Sequence, residues 1–537
     1  MRCTQSAPIV DSTRACHIDN HQATTKSGIS HQRYKVMVET NESKMEAKID
    51  SHQCLLTVNC STAASTASTV TSQKNIAVDM IQKEDYDGAV NFLQKAVSTC
   101  IETYANNHAD DAVVCSKVGA IYAKKKDFAN ALHYYKKALA VNEKIHHSSD
   151  HPDIATNLID IASTWEAMGR YDYALAQYKR ALAIRKKVFG EVHALIAKVQ
   201  VDMAWTLRNM AAYDRAVPYY QEAISIQKEV LGNDYIEIVT TYSYLGKVLL
   251  EKKDCDESLF YCRKALAISQ RVSGNESAGT ASCYFNVGRV LYEKGDYDES
   301  IAYYEKALVL RASLLGDVHP KTAITLFHIG LVLDKKEDVD EAIKCMAKAI
   351  EIEEQCGKDI PHLANHYNNL AYMYASRKND YDQALEFLLK ALARDLDAHH
   401  HDDSAPNPTT ARRYENIAVL DVRQGNYDGA FANYRKALAI RNMSQGYQHS
   451  DTLICCDNIG EVLLRAEKYD MAIFYIGTAL DIRERSLGRN HPDVIGSYKS
   501  METAYFMKGD VDKSNEYGVK IEEFEREEDG LIQYEKG

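Results

Sequence analysis

The sequence predicts an all-α solenoid of about eleven antiparallel helix pairs, each stacked on the next. Three observations predict it: one phrase recurs along the chain, its copies lie about 42 residues apart, and small residues return at fixed places in each copy. Self-similarity at a constant period of about 20–50 residues is typical of repeat proteins, in which each unit packs against its neighbours. A chain of 537 residues then need not divide into several globular cores.

The phrase is clearest at residues 295–320, which read GDYDESIAYYEKALVLRASLLGDVHP. Residues 169–194 read GRYDYALAQYKRALAIRKKVFGEVHA, and residues 467–492 read EKYDMAIFYIGTALDIRERSLGRNHP. Each copy has an aromatic or apolar residue at the place of Tyr297, here called the anchor. The anchors are Tyr86, Phe128, Tyr171, Tyr213, Cys255, Tyr297, Val339, Tyr381, Tyr427, Tyr469 and Val511. Successive anchors differ by 42 in eight of ten steps, by 43 once and by 46 once.

The pattern inside a copy predicts a hairpin of two helices. After Tyr297, apolar residues follow at Ile301, Tyr304 and Leu308, which places them on one stripe of a helix. Small residues recur three and ten positions after the anchor, and Gly or Ala recurs nine positions before it, as in Gly288. Because glycine inside a helix costs about 1 kcal/mol relative to alanine, its return at one place predicts that two helices approach closely there.

The residues between copies predict helix ends. Glycine follows the second helix of many copies, at Gly190, Gly232, Gly274, Gly316, Gly446 and Gly488. Glycine can adopt the left-handed conformation that ends a helix. His-Pro follows at residues 151, 319 and 491, and proline is well tolerated at the first position of a helix. We expect most linker histidines to serve as caps or turn residues.

The ends of the chain differ from its middle. Residues 1–72 lack periodicity and contain STAASTASTVTS, so we predict a disordered, Ser/Thr-rich leader. The solenoid is predicted over residues 73–525, with an insertion at 397–408, and a charged tail over 526–537.

Composition restricts the class of partner and the location. The 76 acidic residues outnumber the 64 basic ones, giving a formal charge of −12, which disfavours nucleic acid and anionic membrane surfaces. No signal peptide or run of 18 apolar residues occurs, so membrane insertion is not expected. Thirteen cysteines without a CxxC pair predict reduced thiols in a cytoplasmic protein.

The repeat resembles the tetratricopeptide repeat (TPR) over about residues 72–525. Gly288, Ser300 and Ala307 are separated by 12 and 7 residues, the small-residue skeleton of that family. Ordinary repeats of the family have about 34 residues, and the 42-residue copies with their LGxxHP phrase resemble the kinesin light chain type. The resemblance implies a right-handed superhelix, whose first helices line a concave groove that binds extended peptides.

The resemblance also indicates candidate groove residues. Eleven positions before the anchor lie Asn75, Asn286, Asn416 and Asn458, with Asn369 displaced by one residue because its turn is longer by one. The family uses asparagine there to hydrogen-bond a peptide backbone. Eight positions before the anchor lie Trp205, Lys247 and Arg289. With Asn286, the two cations could clamp a carboxylate of an acidic peptide, or all these polar groups could be solvated. Trp205 could anchor a ligand or be buried.

The sequence offers no catalytic motif. Strings such as GxxxxGK[ST], GxGxxG, GxSxG and HExxH are absent, and the HHHDD run at 399–403 lies in an insertion that would hold a metal only loosely. We therefore predict a non-catalytic scaffold without metal or cofactor, binding proteins through linear peptide motifs. A kinesin light chain-like cargo adaptor remains the alternative, although residues 1–72 lack the apolar heptads that would join a motor heavy chain. An enzyme is the least supported class.

Overall fold

A computed structural model describes residues 108–147, 149–357, 362–399 and 407–535, together with Gly88. Within these ranges the chain forms twenty α-helices and one short π-helical segment, and no strand. The predicted leader, the rest of the copy anchored at Tyr86 and residues 400–406 of the insertion lie outside the described residues. No helix in the described ranges combines the length and apolar character needed to cross a bilayer.

The described residues fall into two compact units, divided between Asp317 and Val318. The helices of the N-terminal unit are α1 (His108–Lys124), α2 (Phe128–His146), α3 (Pro152–Ala167), α4 (Tyr171–Phe189), α5 (Ala194–Asn209), α6 (Tyr213–Leu231), α7 (Ile236–Glu251), α8 (Cys255–Ser273), α9 (Ala278–Lys294) and α10 (Tyr297–Leu315). Helices with odd numbers are the first of each pair, and those with even numbers are the second.

The C-terminal unit continues the same alternation. Its helices are α11 (Pro320–Lys335), α12 (Val339–Cys356), α13 (Leu363–Met373) followed by the π-helical segment Tyr374–Lys378, α14 (Tyr381–His399), α15 (Pro408–Arg423), α16 (Tyr427–Gln445), α17 (Ser450–Arg465), α18 (Tyr469–Leu487), α19 (Pro492–Lys508) and α20 (Val511–Glu535). Helix α20 passes through the boundary predicted at residue 525.

The predicted hairpins are confirmed. All ten second helices in the described ranges begin at the anchor residues read from the sequence. The small positions are buried, with Ser300 and Ala307 both 0% exposed. The hydroxyl of Ser300 donates to the carbonyl oxygen of Gly288 at 2.7 Å. A Cβ atom added to Gly288 would lie 3.0 Å from Cδ1 of Tyr304, so the two helices are as close as the recurrent glycine predicts.

The linkers follow the prediction with one difference. Five linker histidines, namely His151, His193, His319, His449 and His491, accept a backbone N–H through Nδ1 and cap the following helix, at 3.1–3.3 Å. The six glycines predicted to end second helices all have positive φ, but their ψ is extended: Gly190 has φ 80° and ψ −176°, and Gly316 has φ 92° and ψ 165°. This combination is essentially restricted to glycine and is not the left-handed helical one that we expected.

The aspartate that follows many anchors joins successive copies. Asp214 pairs with Lys252 at 2.8 Å, and Asp256 with Lys294 at 3.0 Å. The same link recurs between Asp428 and Lys468. These exposed pairs contribute little individually, but they explain why aspartate recurs beside the anchor.

A buried polar residue also recurs fourteen positions after the anchor. The set comprises Asn142, Arg185, Gln227, Ser269, Arg311, Glu353, Asp395, Arg441 and Arg483, all buried. Several reach the first helix of the next pair: the Asn142 amide donates to Asn157 at 2.7 Å, and Arg483 donates to Ser497 at 2.6 Å. Because a buried polar group must find its partner, these bonds favour one alignment of each hairpin on the next.

Candidate functional site

Successive first helices of the N-terminal unit contact one another directly. Helix α7 contacts both α5 and α9. Trp205 on α5 lies against Tyr244 on α7, with ring centroids 5.4 Å apart. Nε of Arg208 donates to Glu251 at 2.9 Å, which again joins α5 to α7. Helices α5, α7 and α9 therefore form a continuous surface, here called the first-helix face.

Two cations on this face form no ion pair with any residue that the structure describes. Lys247 on α7 and Arg289 on α9 are half-buried. Neither side chain has an ion pair or a hydrogen bond to another described residue, and Nε of Arg289 is buried without an acceptor. Buried charges in proteins are normally paired. In a chain of net charge −12, these two cations on neighbouring helices therefore stand out from the overall charge.

The charge of Arg289 also affects Lys247. Burial, which is the largest cause, and the positive charges of Arg289 and Arg208 together lower the pKa of Lys247 to about 7, although Glu251 acts in the opposite direction. A lysine ammonium that is lost near neutral pH would be restored by a bound anion, since an opposite charge favours the protonated form. At the Lys247 ammonium, the neighbouring positive charges therefore outweigh the negative ones.

The stability of the chain is expected to depend on pH through Lys247. Its pKa is about 7 in the folded chain and 10.5 ordinarily. Between these values the unfolded chain binds more protons, so the free energy of unfolding rises with pH across this window. Below pH 7 both states are protonated, and the folded state carries the full cost of the buried charge. Lys247→Met is expected to stabilise the chain most at pH 6 and less by pH 9.5, as measured by urea denaturation.

The matched control is Lys264→Met, on the second helix α8. The Lys264 ammonium lies 4.0 Å from the ring centroid of the exposed Phe260, and this substitution should change stability equally at both pH values. A constant difference between Lys247→Met and wild type from pH 6 to 9.5 would contradict the assignment.

Asn286 supplies a neutral polar group beside the cations. It lies three residues before Arg289 on α9, and residues at this spacing share one face of a helix. Its side chain is half-buried and has no hydrogen bond to another described residue. A carboxamide offers both donors and an acceptor. Asn286 and Arg289 therefore lie on one face of α9, and Lys247 lies on the neighbouring helix α7 within reach of the Arg289 charge.

Trp205 occupies a different environment. Its side chain is 1% exposed, and it packs against Tyr244 with the Arg208 guanidinium 4.8 Å above the indole. Of the two roles left open by the sequence, burial in the stack is the one observed. The indole supports the first-helix face from beneath and is not accessible to a ligand.

The other candidate asparagines lie on first helices of the C-terminal unit. Asn416 is 6% exposed, and its amide donates to Oδ1 of Asn368 at 2.6 Å, so it joins α15 to α13 and is not available to a peptide. Asn369 and Asn458 are half-buried. The displacement of Asn369 arises within the helix and not in a longer turn: the extra residue is taken up by the π-helical segment Tyr374–Lys378.

Sequence reasoning missed the pair formed by Arg208 and Glu251. Their charges are opposite and they lie 43 residues apart, one repeat plus one residue, so complementary charges at nearly equivalent positions were the available signal. Without this pair, Arg208 would be a third unpaired cation beside Lys247.

Comparison with known families agrees with this architecture. The tetratricopeptide repeat profile matches residues 67–144, 114–187, 153–229, 237–308, 286–355, 322–397 and 409–484. The chain therefore belongs to the tetratricopeptide repeat family, whose members generally mediate protein–protein interactions.

Several solved structures are similar. BtubC (BKLC) from P. vanneervenii shares 22% identity over 43% of this chain and 92% of its own, with a TM-score of 0.39. A putative kinesin light chain from Podosopora anserina shares 15% identity over 39% of this chain and 98% of its own, with a TM-score of 0.36. A signal transduction ATPase with a tetratricopeptide repeat sensor from Pyrococcus horikoshii shares 14% identity over 81% of this chain and 55% of its own, with a TM-score of 0.45. No curated protein matches the sequence.

Proposed function

We propose that the protein is a non-catalytic, cytoplasmic scaffold that binds an extended acidic segment of a partner protein on the first-helix face. One observation carries the proposal: Lys247 and Arg289 are half-buried cations on adjacent first helices, and neither has an acidic partner among the described residues. A carboxylate from a partner would supply the missing counter-charge.

The chemistry of the three side chains suits a peptide. The planar guanidinium of Arg289 can hold a carboxylate through two parallel hydrogen bonds, and Lys247 adds a compact charge. The Asn286 carboxamide can pair with the N–H and C=O groups of an extended backbone, whatever its sequence. Acidic side chains would therefore set specificity, and backbone contacts would hold the segment in register.

Binding of an acidic peptide should depend on both cations. The probe is a fluorescein-labelled peptide rich in Asp and Glu, titrated by fluorescence anisotropy. We expect Lys247→Glu with Arg289→Glu to weaken binding by at least about 30-fold, since removing one partner of a buried charge pair typically costs about 2 kcal/mol or more. Lys264→Glu on α8 is the charge-matched control and should bind as wild type does.

A second readout separates this clamp from general attraction between charges. Because the pKa of Lys247 is about 7 in the free protein, binding at pH 8 should be accompanied by proton uptake, seen as a dependence of the calorimetric enthalpy on the buffer. Equal binding by the charge-reversed double variant would overturn the proposal.

The LGxxHP phrase favours a second candidate, a kinesin light chain-like cargo adaptor. Co-purification of a motor heavy chain with the full-length protein would support it, and a scaffold of another pathway would not retain that chain.

A further inference from the structure

Two histidines and an aspartate converge where α2 passes to α3. His146 is the last residue of α2, His151 caps α3, and Asp153 lies in its first turn. Oδ2 of Asp153 lies 3.4 Å from Nε2 of His146 and 3.5 Å from Nδ1 of His151. One donor atom from each residue falls within 4.8 Å of the others. We propose that this cluster binds one divalent transition-metal ion, with Zn²⁺ the best fit, independently of the peptide-binding function.

The distances match the geometry of such an ion. Zn²⁺ binds histidine nitrogen and carboxylate oxygen at about 2.0–2.2 Å in a tetrahedron, so two ligands of one ion lie about 3.4 Å apart. The two separations from Asp153 have this length, and both are longer than a good hydrogen bond between charged groups. Two imidazoles and one carboxylate suit Zn²⁺, Ni²⁺ or Cu²⁺, whereas Ca²⁺ and Mg²⁺ prefer oxygen donors.

Comparison with other linkers of the chain shows which residue is specific to the linker between α2 and α3. His449 and His491 cap their helices in the same way and are also followed by aspartate two residues later. His146 lies eighteen positions after its anchor. The equivalent residue is Gln445 in the copy before His449, Leu487 in the copy before His491 and Phe189 in the copy before His193. Phe189 stacks on His193 with centroids 4.5 Å apart. The repeat thus places this side chain over the capping imidazole, and in α2 it carries a ligand nitrogen.

Metal binding requires a small local rearrangement. The rings of His146 and His151 are stacked, with centroids 3.3 Å apart and planes 10° from parallel. One ring must therefore turn about its Cβ–Cγ bond so that both nitrogens face the ion. Nδ1 of His151 also accepts the Asp153 N–H at 3.3 Å, a long hydrogen bond that the ion would replace.

The site is open to solvent and joins two copies. The side chain of Asp153 is 61% exposed and that of His146 is 22% exposed, so an ion can enter and water can complete the tetrahedron. Lys187 pairs with the adjacent Asp150, which leaves the Asp153 carboxylate for the metal. An ion held here would tie the end of α2 to the start of α3.

The test is titration of the full-length, tag-free chain with Zn²⁺ alone by calorimetry, with Co²⁺ absorption as a second readout of coordination. His146→Leu introduces the residue that other copies have at this position, at Leu231, Leu315 and Leu487. His151→Asn keeps a helix cap, since Asn407 caps α15 in the same way. His491→Asn, in a linker without the second histidine, is the matched control.

Wild type and His491→Asn should each bind one more ion than His146→Leu and His151→Asn. Loss of a ligand should weaken this site by more than about tenfold, because even changes to the groups that support ligands cost 10–100-fold. Circular dichroism without metal should be the same for all four proteins. Unchanged zinc binding in His146→Leu would overturn the proposal. That result would include binding of all the metal at residues 399–403.

Discussion

Arg413→Ala is expected to lower the free energy of unfolding by about 3–5 kcal/mol, because it leaves the carboxylate of Asp395 buried and unpaired. Arg413 on α15 is 2% exposed and Asp395 on α14 is 8% exposed, and Nε of Arg413 lies 3.3 Å from Asp395. The guanidinium also donates to Asn365 on α13 at 2.5 Å. This side chain therefore joins three helices, and urea denaturation followed by circular dichroism measures its loss.

The loss of stability in Arg413→Ala should come from the buried, unpaired charge of Asp395 and not from the lost attraction between the two side chains. Replacing both partners, as Arg413→Leu with Asp395→Leu, is expected to cost much less than Arg413→Ala, since apolar pairs of similar volume often substitute for buried ion pairs. Lys348→Ala removes the exposed pair with Glu351, 2.9 Å apart, and should have no measurable effect. A double variant as unstable as Arg413→Ala would contradict this explanation.

Gly330→Ala is expected to destabilise the chain by about 1–3 kcal/mol, the usual cost of overpacking, although alanine is favoured in helices by about 1 kcal/mol. A Cβ atom at residue 330 would lie 2.8 Å from Cγ of Met346 and 3.0 Å from the backbone oxygen of Ala342. The backbone of α12 can relieve this contact only by moving away from α11. Thermal unfolding followed by circular dichroism measures the change.

Gly496→Ala is the matched control for this substitution. Gly496 lies in α19, and a Cβ atom there would meet nothing within 4 Å. Because only the helix preference remains, this variant should be more stable than wild type by about 0.5–1 kcal/mol. If the two variants were stabilised equally, close packing through Gly330 would be disproved.

Local rules were sufficient to predict the hairpins. Tyr297 begins α10 because an apolar stripe starts there and a turn precedes it, and the small residues Gly288 and Ser300 are buried where their recurrence predicts. The anchor recurs in all ten described copies and the small residue nine positions before it in eight of them, so a departure in one copy is corrected by the others. The fold could therefore be predicted from the sequence in nearly all its helices.

The environment of individual side chains could be predicted less well. Trp205 and Lys247 are equivalent in the repeat, yet Trp205 is buried and Lys247 keeps part of its surface, because the neighbouring helix supplies Tyr244 in one case and Arg289 in the other. The Asn416 amide is already hydrogen-bonded to Asn368. An asparagine at the position of Asn368 occurs only in the copy that contains the π-helical segment. Such pairings depend on residues from two copies at once, and a pattern within one copy cannot contain them.

The central claim is that an acidic peptide binds across α7 and α9 on the first-helix face. A photo-reactive benzoylphenylalanine at position 282, one turn before Asn286, tests it most directly when compared with the same residue at position 260 on α8. We predict that an Asp- and Glu-rich peptide is cross-linked from position 282 and not from position 260. Cross-linking from position 260 alone would contradict the account.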